Sequence, residues 1–309
     1  MRLFWVSTVV SFEYPPLAEN HPCSYESYAV MSYKAFRLSC LCSLDVAANE
    51  SEKGDIVFFE TTHDENALLK LQGCAQRGVK LVAVQHGNPM QFQAQLARCR
   101  GLSGVLLYDS FLAEWNEILT VPRLAMPHPI YPEFLRFPDT KPQEDTALLA
   151  HRADPYDETR CFLTSLLIAR KADCNRIKCI TNYPDRVREV AREFSFDFDF
   201  EISSFLSLRE YLDWISDCAL AIGWSPLRYY GRDAALMAVN HRPALMSRYV
   251  ASKLCYGLDV DFDELCELAA TWHERDWVIE PEHLFENEEG IAAFASFIEE
   301  VSKFEPGQG

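Results

Sequence analysis

The stretch ALAIGWSP, at residues 219–226, is a short apolar run that ends in a turn. Tyr230-Gly231 follows, then an Ala-, Leu- and Met-rich segment from Asp233, and Arg242-Pro243 leads into a second apolar run. This order predicts a strand, a glycine-bearing loop, a helix and a strand. In a parallel sheet such a loop lies at the carboxyl ends of the strands, where a helix N-terminus favours phosphate. One glycine loop is a weak fingerprint, because any β-α-β crossover also has one.

The chain upstream of this stretch alternates between predicted strands and helices. Residues 2–10, 37–46, 55–60, 79–85, 104–109 and 121–126 are apolar runs typical of buried strands. Asp64 is a predicted N-cap for a helix that Gly78 ends. Further helices are predicted over residues 25–36 and 111–119, and a helix ending at Arg100. This pattern predicts a parallel sheet with helices on both faces.

A proline-rich segment then interrupts the alternation. Five prolines and several charged residues lie within residues 127–145, which prevents a regular element. Beyond it the alternation restarts, with strands over 146–150, 176–181, 219–223 and 242–247. The predicted organisation is an N-terminal domain over residues 1–138 and a C-terminal domain over 139–309. Both are Rossmann-like, and their strand ends are expected to face a common cleft.

The composition and charge of the chain argue against several classes of function. The chain has 309 residues and a net charge of −17, but residues 259–309 alone contain 15 acidic and 2 basic residues. This acidic tail argues against nucleic-acid docking there. The 11 cysteines include no CxxC pair, and no cluster of His and Cys marks a metal site, so none is predicted. No apolar run approaches the roughly 20 residues of a membrane span, and the expected location is cytoplasmic.

Several segments resemble the GT-B glycosyltransferases, particularly the donor domain of their retaining branch. Residues 148–155, LLAHRADP, resemble the segment that carries the family's Arg, with Arg152 at that position. The segment from Tyr230-Gly231 to Arg242-Pro243 resembles the family's later loop, helix and strand. Residues 82–87, VAVQHG, resemble the acceptor-domain strand that ends in a His. The resemblance implies an α/β fold of two Rossmann-like domains facing a cleft, and a nucleotide-sugar as co-substrate without a further cofactor.

The sequence departs from the family at three charged positions. Aligned on the Arg-Pro turn, Arg228 and Leu236 occupy the two Glu positions, and Asp157 occupies the Lys position. In the family the Lys and Arg neutralise the leaving diphosphate, and the second Glu holds the ribose of the donor. A substitute cation is therefore needed, and Arg228, Arg232 or Arg160 could supply it, with Arg228 the predicted one. The predicted donor contacts are Arg152, Asn182, Ser225, Arg228, Tyr230, Gly231 and Asp233.

The acceptor side is predicted in the first domain. His86 follows a buried strand, where it is expected to orient a sugar hydroxyl or to transfer a proton. Gly87, Asn88 and Asp109 are expected to line the same cleft. The predicted catalytic residues are His86, Arg152 and Arg228. The sequence does not decide whether the acceptor is a glycan, a lipid, a protein or a modified nucleic acid.

Two other functions fit the same residues. The missing carboxylates and lysine are also what a non-catalytic GT-B protein would show, and an acidic tail suits contact with a basic partner. A sugar-nucleotide epimerase of the same fold is the other alternative, although no specific motif marks it. The leading prediction is a metal-independent glycosyltransferase.

Overall fold

The computed structural model describes residues 1–22, 25–60, 64–85, 89–108, 120–150, 161–204, 206–225, 232–246, 261–275, 277 and 288–305. The chain divides into two compact units. The first contains Met1–Tyr131 together with Phe285–Gly309, and the second contains Pro132–Leu284. The units thus divide seven residues before the predicted boundary at residue 138, and the last segment of the chain falls in the first unit.

The first unit is built on a seven-stranded sheet. Its strands are β1 (Leu3–Val6), β2 (Phe12–Glu13), β3 (Ser39–Cys42), β4 (Ile56–Glu60), β5 (Lys80–Val84), β6 (Leu102–Leu107) and β7 (Arg123–Ala125). Their order is β2-β3-β1-β4-β5-β6-β7. All pairs are parallel except β2 with β3, which is antiparallel. The parallel sheet was predicted, whereas the two-residue edge strand β2 was not.

Four described helices lie between the strands of the first unit, and polar side chains cap two of them. They are α1 (Ser27–Phe36), α2 (Leu44–Glu50), α3 (Glu65–Gln76) and α4 (Pro89–Leu96). Asp64 caps α3 by accepting from the N–H of Asn66, as predicted. The strand predicted over residues 37–46 extends too far at its C-terminal end. Ser43 accepts from the N–H of Val46 and starts α2, so β3 ends at Cys42.

An aromatic cluster fills one face of this sheet. The ring of Trp5 stacks on that of Phe58 with centroids 4.0 Å apart and planes 4° apart. Tyr28 stacks on Trp5 at 5.8 Å, and the indole N–H of Trp5 donates to Ser32. Because Trp5 and Phe58 lie opposite each other in β1 and β4, the stack fixes the register of these two strands.

The second unit is built on a five-stranded parallel sheet. Its strands are β8 (Gln143–Leu149), β9 (Arg176–Ile180), β10 (Asp199–Ser203), β11 (Cys218–Gly223) and β12 (Ala244–Met246), in the order β10-β9-β8-β11-β12. Its described helices are α5 (Phe162–Lys171), α6 (Pro184–Glu193), α7 (Leu208–Ile215), α8 (Arg232–Val239) and α9 (Phe262–Ala270). Strand β10 was not predicted.

The last helix, α10 (Glu288–Lys303), belongs to the first unit. Its buried residues Phe294, Phe297, Ile298 and Val301 recur at helical spacing and join the core that contains Trp5. Gly104 of β6 lets the helix approach the sheet. A Cβ atom at Gly104 would lie only 2.7 Å from Cγ2 of Val301.

The substitution Gly104→Ala is therefore expected to lower the free energy of unfolding by about 1–3 kcal/mol, because the added methyl group overpacks this contact. Gly73 in α3 is the matched control, since its nearest neighbouring atom would be Nη1 of Arg77 at 3.9 Å. Gly73→Ala is expected to raise the free energy of unfolding by about 0.5–1 kcal/mol. Denaturant titration of both variants measures the two signs. Stabilisation by Gly104→Ala would contradict the close approach of α10.

Within the described ranges, no helix combines the length and the apolar character needed to cross a bilayer. The nine cysteines in these ranges are all free thiols. Burial raises the pKa of Cys174 and of Cys179 to about 12, so both thiols stay protonated at neutral pH.

Candidate functional site

The strand order of the second unit marks one place at the carboxyl edge of its sheet. From β8 the chain continues to β9 on one side, and from β11 it continues to β12 on the other. The adjacent ends of β8 and β11 are thus the switch point of the sheet, where open α/β folds bind ligands. Arg152 follows the end of β8, and Arg228 follows the end of β11. Both lie outside the described residues, as do Tyr230 and Gly231.

The two strands are firmly joined at this switch point. Beyond the end of β8, the N–H of Ala150 donates to the carbonyl of Ile222 over 2.8 Å. Beyond the end of β11, the N–H of Trp224 donates to Oγ of Ser165 on α5, over 3.1 Å. Ser225, a predicted donor contact, follows Trp224 and is fully buried. The loops that carry Arg152 and Arg228 therefore start from fixed ends.

Two helices begin directly after these loops. Helix α5 follows β8 and α8 follows β11. Cys161, at the N-cap of α5, has a left-handed backbone with φ 44° and ψ 55°, and its side chain caps no N–H group. The first-turn N–H groups of a helix carry a partial positive charge and bind anions. This arrangement suits a phosphate-bearing ligand at the switch point.

Asp233 lies in the first turn of α8 and packs against α7. Its side chain is buried, and Oδ1 accepts a hydrogen bond of 2.8 Å from the hydroxyl of Tyr211. Burial, and then the charge of Asp233, raises the pKa of Tyr211 well above its usual value, so this tyrosine stays a donor. The guanidinium of Arg232 lies 5.6 Å from the centroid of the Tyr211 ring. Asp233 thus joins α8 to α7, and its contact with a donor stays a prediction.

Asn182 follows β9, one strand from β8 in the same sheet. Thr181 is buried, and its hydroxyl accepts from the N–H of Tyr183 over 3.0 Å. This turn leaves Asn182 exposed at the carboxyl edge. The structure therefore brings Asn182, Ser225 and Asp233 to the same edge of one sheet. Their contact with a donor stays a prediction, and the hydrogen bond from Tyr211 to Asp233 was not predicted from the sequence.

Leu236 occupies the position at which the resembled family has its ribose-binding Glu. The side chain of Leu236 is fully buried in the second unit. Its carbonyl accepts a hydrogen bond of 2.8 Å from the amide of Asn240. An apolar, buried side chain offers no hydrogen bond to a ribose.

Arg242 has a structural role at the opposite edge of the sheet. It precedes β12, and its guanidinium donates to the carbonyls of Cys218 over 2.6 Å and Thr140 over 3.2 Å. The guanidinium also lies 4.7 Å from the ring centroid of Phe137. Burial lowers the pKa of Arg242. Within the second unit, Arg242 thus ties the segment before β8 to the start of β11.

The predicted acceptor-side residues follow two neighbouring strands of the first unit. His86, Gly87 and Asn88 come after β5, and Asp109 comes after β6. All four lie outside the described residues. The residue before His86, Gln85, is fully buried; its N–H donates to the carbonyl of Leu106, and its Oε1 accepts from the N–H of Tyr108. Gln85 therefore fixes the strand end that precedes His86, a role that sequence analysis did not identify.

Among the residues that the structure describes, no group of three or more His, Cys, Asp or Glu side chains is placed to hold a metal ion. Metal independence stays a prediction.

By sequence, the chain matches no family model and no curated protein. Solved structures resemble it in fold at 10–11% identity. One is a TarM variant of S. aureus in complex with Fondaparinux, alpha-GlcNAc-glycerol and UDP. The alignment with it covers 86% of this chain at a TM-score of 0.54. The chain spans only 57% of the length of that protein.

Two further structures are similar over more of their own length. AviGT4, a glycosyltransferase involved in Avilamycin A biosynthesis, has a TM-score of 0.56 at 10% identity, with 99% of each chain covered. Sucrose-phosphate synthase from Thermosynechococcus elongatus has a TM-score of 0.52 at 11% identity, over 80% of this chain and 71% of the enzyme. At 10–11% identity, structural similarity is evidence for the fold alone. This chain therefore has the fold of the GT-B glycosyltransferases.

Proposed function

We propose that this chain is a metal-independent glycosyltransferase that moves a sugar from a nucleotide-sugar to an acceptor. One observation carries the proposal: the ends of β8 and β11 meet at the switch point of the second sheet, and α5 and α8 begin directly after the loops that follow. The fold, and a similar structure that holds UDP, support a nucleoside diphosphate as the ligand.

The proposed chemistry rests on electrostatic stabilisation of the leaving group. Arg152 and Arg228 are placed by sequence in the two loops at the switch point, and each guanidinium can bind a diphosphate in a bidentate manner. The N–H groups at the start of α5 and α8 add partial positive charge. As the bond between sugar and diphosphate breaks, this positive charge stabilises the developing negative charge. His86 is proposed to orient a sugar hydroxyl or to transfer a proton.

A nucleotide panel tests donor binding. The unfolding temperature is measured with uridine, guanosine and adenosine diphosphates and with their sugar conjugates. A ligand at 100 times its Kd stabilises the folded protein by about 2.7 kcal/mol, so one base should raise the Tm clearly. The substitution Arg152→Ala should abolish that shift without lowering the Tm of the free protein. A flat response to every nucleotide would reject the proposal.

The buried Leu236 favours a second candidate, a binding protein of the same fold that has lost turnover. Without a carboxylate at this position, the ribose lacks the contact that the family provides. Turnover separates the two candidates. Release of the nucleoside diphosphate that depends on Arg152 supports the transferase, whereas nucleotide binding without release supports the binding protein.

A further inference from the structure

A cavity of about 350 Å³ opens at the amino edge of the first sheet. Its walls are the end of α3, the start of β5 and the turn before β6, and its polar lining residues are Gln72, Gln76, Lys80, Arg100 and Glu305. The predicted acceptor-side residues follow the other ends of β5 and β6. We call this space the β5–β6 cavity, and its position separates it from the predicted acceptor site.

One wall of the cavity holds a buried ammonium group. Lys80 is 8% exposed, and its Nζ donates to the carbonyl of Phe304, just past the end of α10. A neutral donor could bind that carbonyl without the cost of burying a charge. Within the described ranges the nearest countercharge of Lys80 is Glu305, whose Oε1 lies 3.5 Å from Nζ. Because the Glu305 side chain is 76% exposed, this ion pair is weak and can be displaced.

Arg100 brings a second cation to the same cavity. Its side chain is exposed and makes no ion pair or hydrogen bond with any other residue that the structure describes. Arg100 also lines a neighbouring cavity, where Arg98 pairs with Glu65 over 3.3 Å. The polar lining of the β5–β6 cavity therefore contains two cations, Lys80 and Arg100, and one carboxylate, Glu305. This excess of positive charge lies on a chain whose net charge is −17.

These groups favour one class of ligand. A guanidinium binds phosphate in a bidentate manner, and an ammonium binds it as a point charge. The amides of Gln72 and Gln76 can both donate to and accept from hydroxyl groups. The volume of the cavity is in the range of small-molecule sites. We propose that the β5–β6 cavity binds a phosphate ester of a small hydroxylated molecule, and that the phosphate displaces Glu305 from Lys80 and pairs with Arg100. This site goes beyond the proposed function, because its binding needs neither donor nor acceptor.

Two substitutions with opposite expected signs test the site in the full chain. Titration calorimetry at constant ionic strength uses glucose 6-phosphate, glycerol 3-phosphate and inorganic phosphate, with glucose and glycerol as uncharged counterparts. At least one ester should bind. Arg100→Ala should weaken it by about 10- to 100-fold, the usual effect of losing a hydrogen bond to a charged group. Glu305→Gln should strengthen it by about two- to fivefold, because the competing carboxylate is removed from Lys80.

Arg77→Ala is the matched control for Arg100→Ala. Arg77 is also exposed, and it follows α3, but it lines neither cavity and donates to the carbonyl of Ala48. Its removal should change the affinity by less than about twofold, because it alters only the general charge of this surface. Equal losses in the two arginine variants would overturn the proposal. The absence of binding by every ester, or weaker binding by Glu305→Gln, would also overturn it.

The stability of the ligand-free protein separates ligand binding from a structural role of Arg100. Since Arg100 has no described partner, Arg100→Ala should leave the Tm nearly unchanged. A clear fall in Tm would show that Arg100 stabilises the fold, and would overturn its assignment as a ligand contact.

Arg152→Ala keeps this result apart from the proposed function, because a phosphate ester could also enter the proposed donor site. Binding that persists in Arg152→Ala and is lost in Arg100→Ala supports the β5–β6 cavity, even if the nucleotide panel finds no ligand and the transferase is rejected. Binding that is lost in Arg152→Ala and unchanged in Arg100→Ala would reject this cavity and leave the proposed function intact.

Discussion

The substitution Arg228→Ala should lower the transfer rate or the affinity for the nucleotide-sugar by about 30- to 1000-fold. Arg228 lies in the sequence between the end of β11 and Tyr230-Gly231, in the loop expected to face the donor diphosphate. A charged partner of the leaving group contributes about 2–4 kcal/mol to transition-state binding. The melting temperature should stay nearly unchanged, because the expected partner of Arg228 is the ligand and not the fold.

Arg232, four residues further along, is the matched control. Its side chain is 53% exposed at the start of α8, with Nε 3.8 Å from Oδ1 of Asp233. Its guanidinium lies over the ring of Tyr211. Both contacts are made within the protein, by a side chain that is itself largely exposed. Arg232→Ala should therefore change the donor affinity little and the free energy of unfolding by no more than about 0.5 kcal/mol.

Titration calorimetry with the nucleotide found in the panel, followed by initial-rate measurements, compares the two variants. Equal and small effects would place the phosphate site elsewhere than the loop after β11. A large effect of Arg232→Ala alone would reverse the assignment and make the first turn of α8 the anion site.

The sequence predicted most of the fold because its strands are fully buried. A strand covered on both faces is a continuous apolar run, such as β4 and β5, and polar caps or glycines mark the helices between such runs. Strand β10 was missed because it lies at the edge of its sheet. There Phe198, Phe200 and Ile202 alternate with Asp199 and Glu201. That period of two was the available signal.

Chain order is enough to place the proposed donor site at one edge of the second sheet, but it does not predict the contacts that its residues make. Chain order alone places Asn182, Ser225 and Asp233 after strands of one parallel sheet. The rotation of α8 decides that Asp233 meets Tyr211 and that Leu236 points into the core. That rotation depends on packing between segments distant in sequence.

A buried lysine in the second unit makes such long-range contacts, which hold α7 on the second sheet. Lys178 of β9 is 5% exposed, and its ammonium lies 2.8 Å from Oδ1 of Asp217 and 3.4 Å from Oε2 of Glu201. It also donates to the carbonyl of Trp214 over 2.6 Å, near the end of α7. Lys178 thus anchors the helix whose Tyr211 holds Asp233.

The substitution Asp217→Ala should lower the free energy of unfolding by about 3 kcal/mol, because it leaves a buried ammonium without its nearest countercharge. Lys178→Met should cost only about 1 kcal/mol, since the methionine keeps an unbranched apolar chain and the two carboxylates left behind are partly exposed. The exposed fraction is 17% for the Asp217 side chain and 43% for that of Glu201. Oδ1 of Asp217 is buried, but Oδ2 still accepts from the amide of Gln143 over 3.2 Å.

Asp199→Ala is the matched control, since Asp199 also pairs with a basic residue of β9. The distance from Nε of Arg176 to Oδ2 of Asp199 is 3.2 Å, but both side chains are exposed. An exposed pair contributes little, so this variant should lose no more than about 0.5 kcal/mol. Denaturant titration of the three variants gives the order Asp217→Ala, Lys178→Met, Asp199→Ala, from most to least destabilised. If Lys178→Met were the most destabilised, the ammonium itself would hold β9, β11 and α7 together, and burial of its charge would not be the dominant cost.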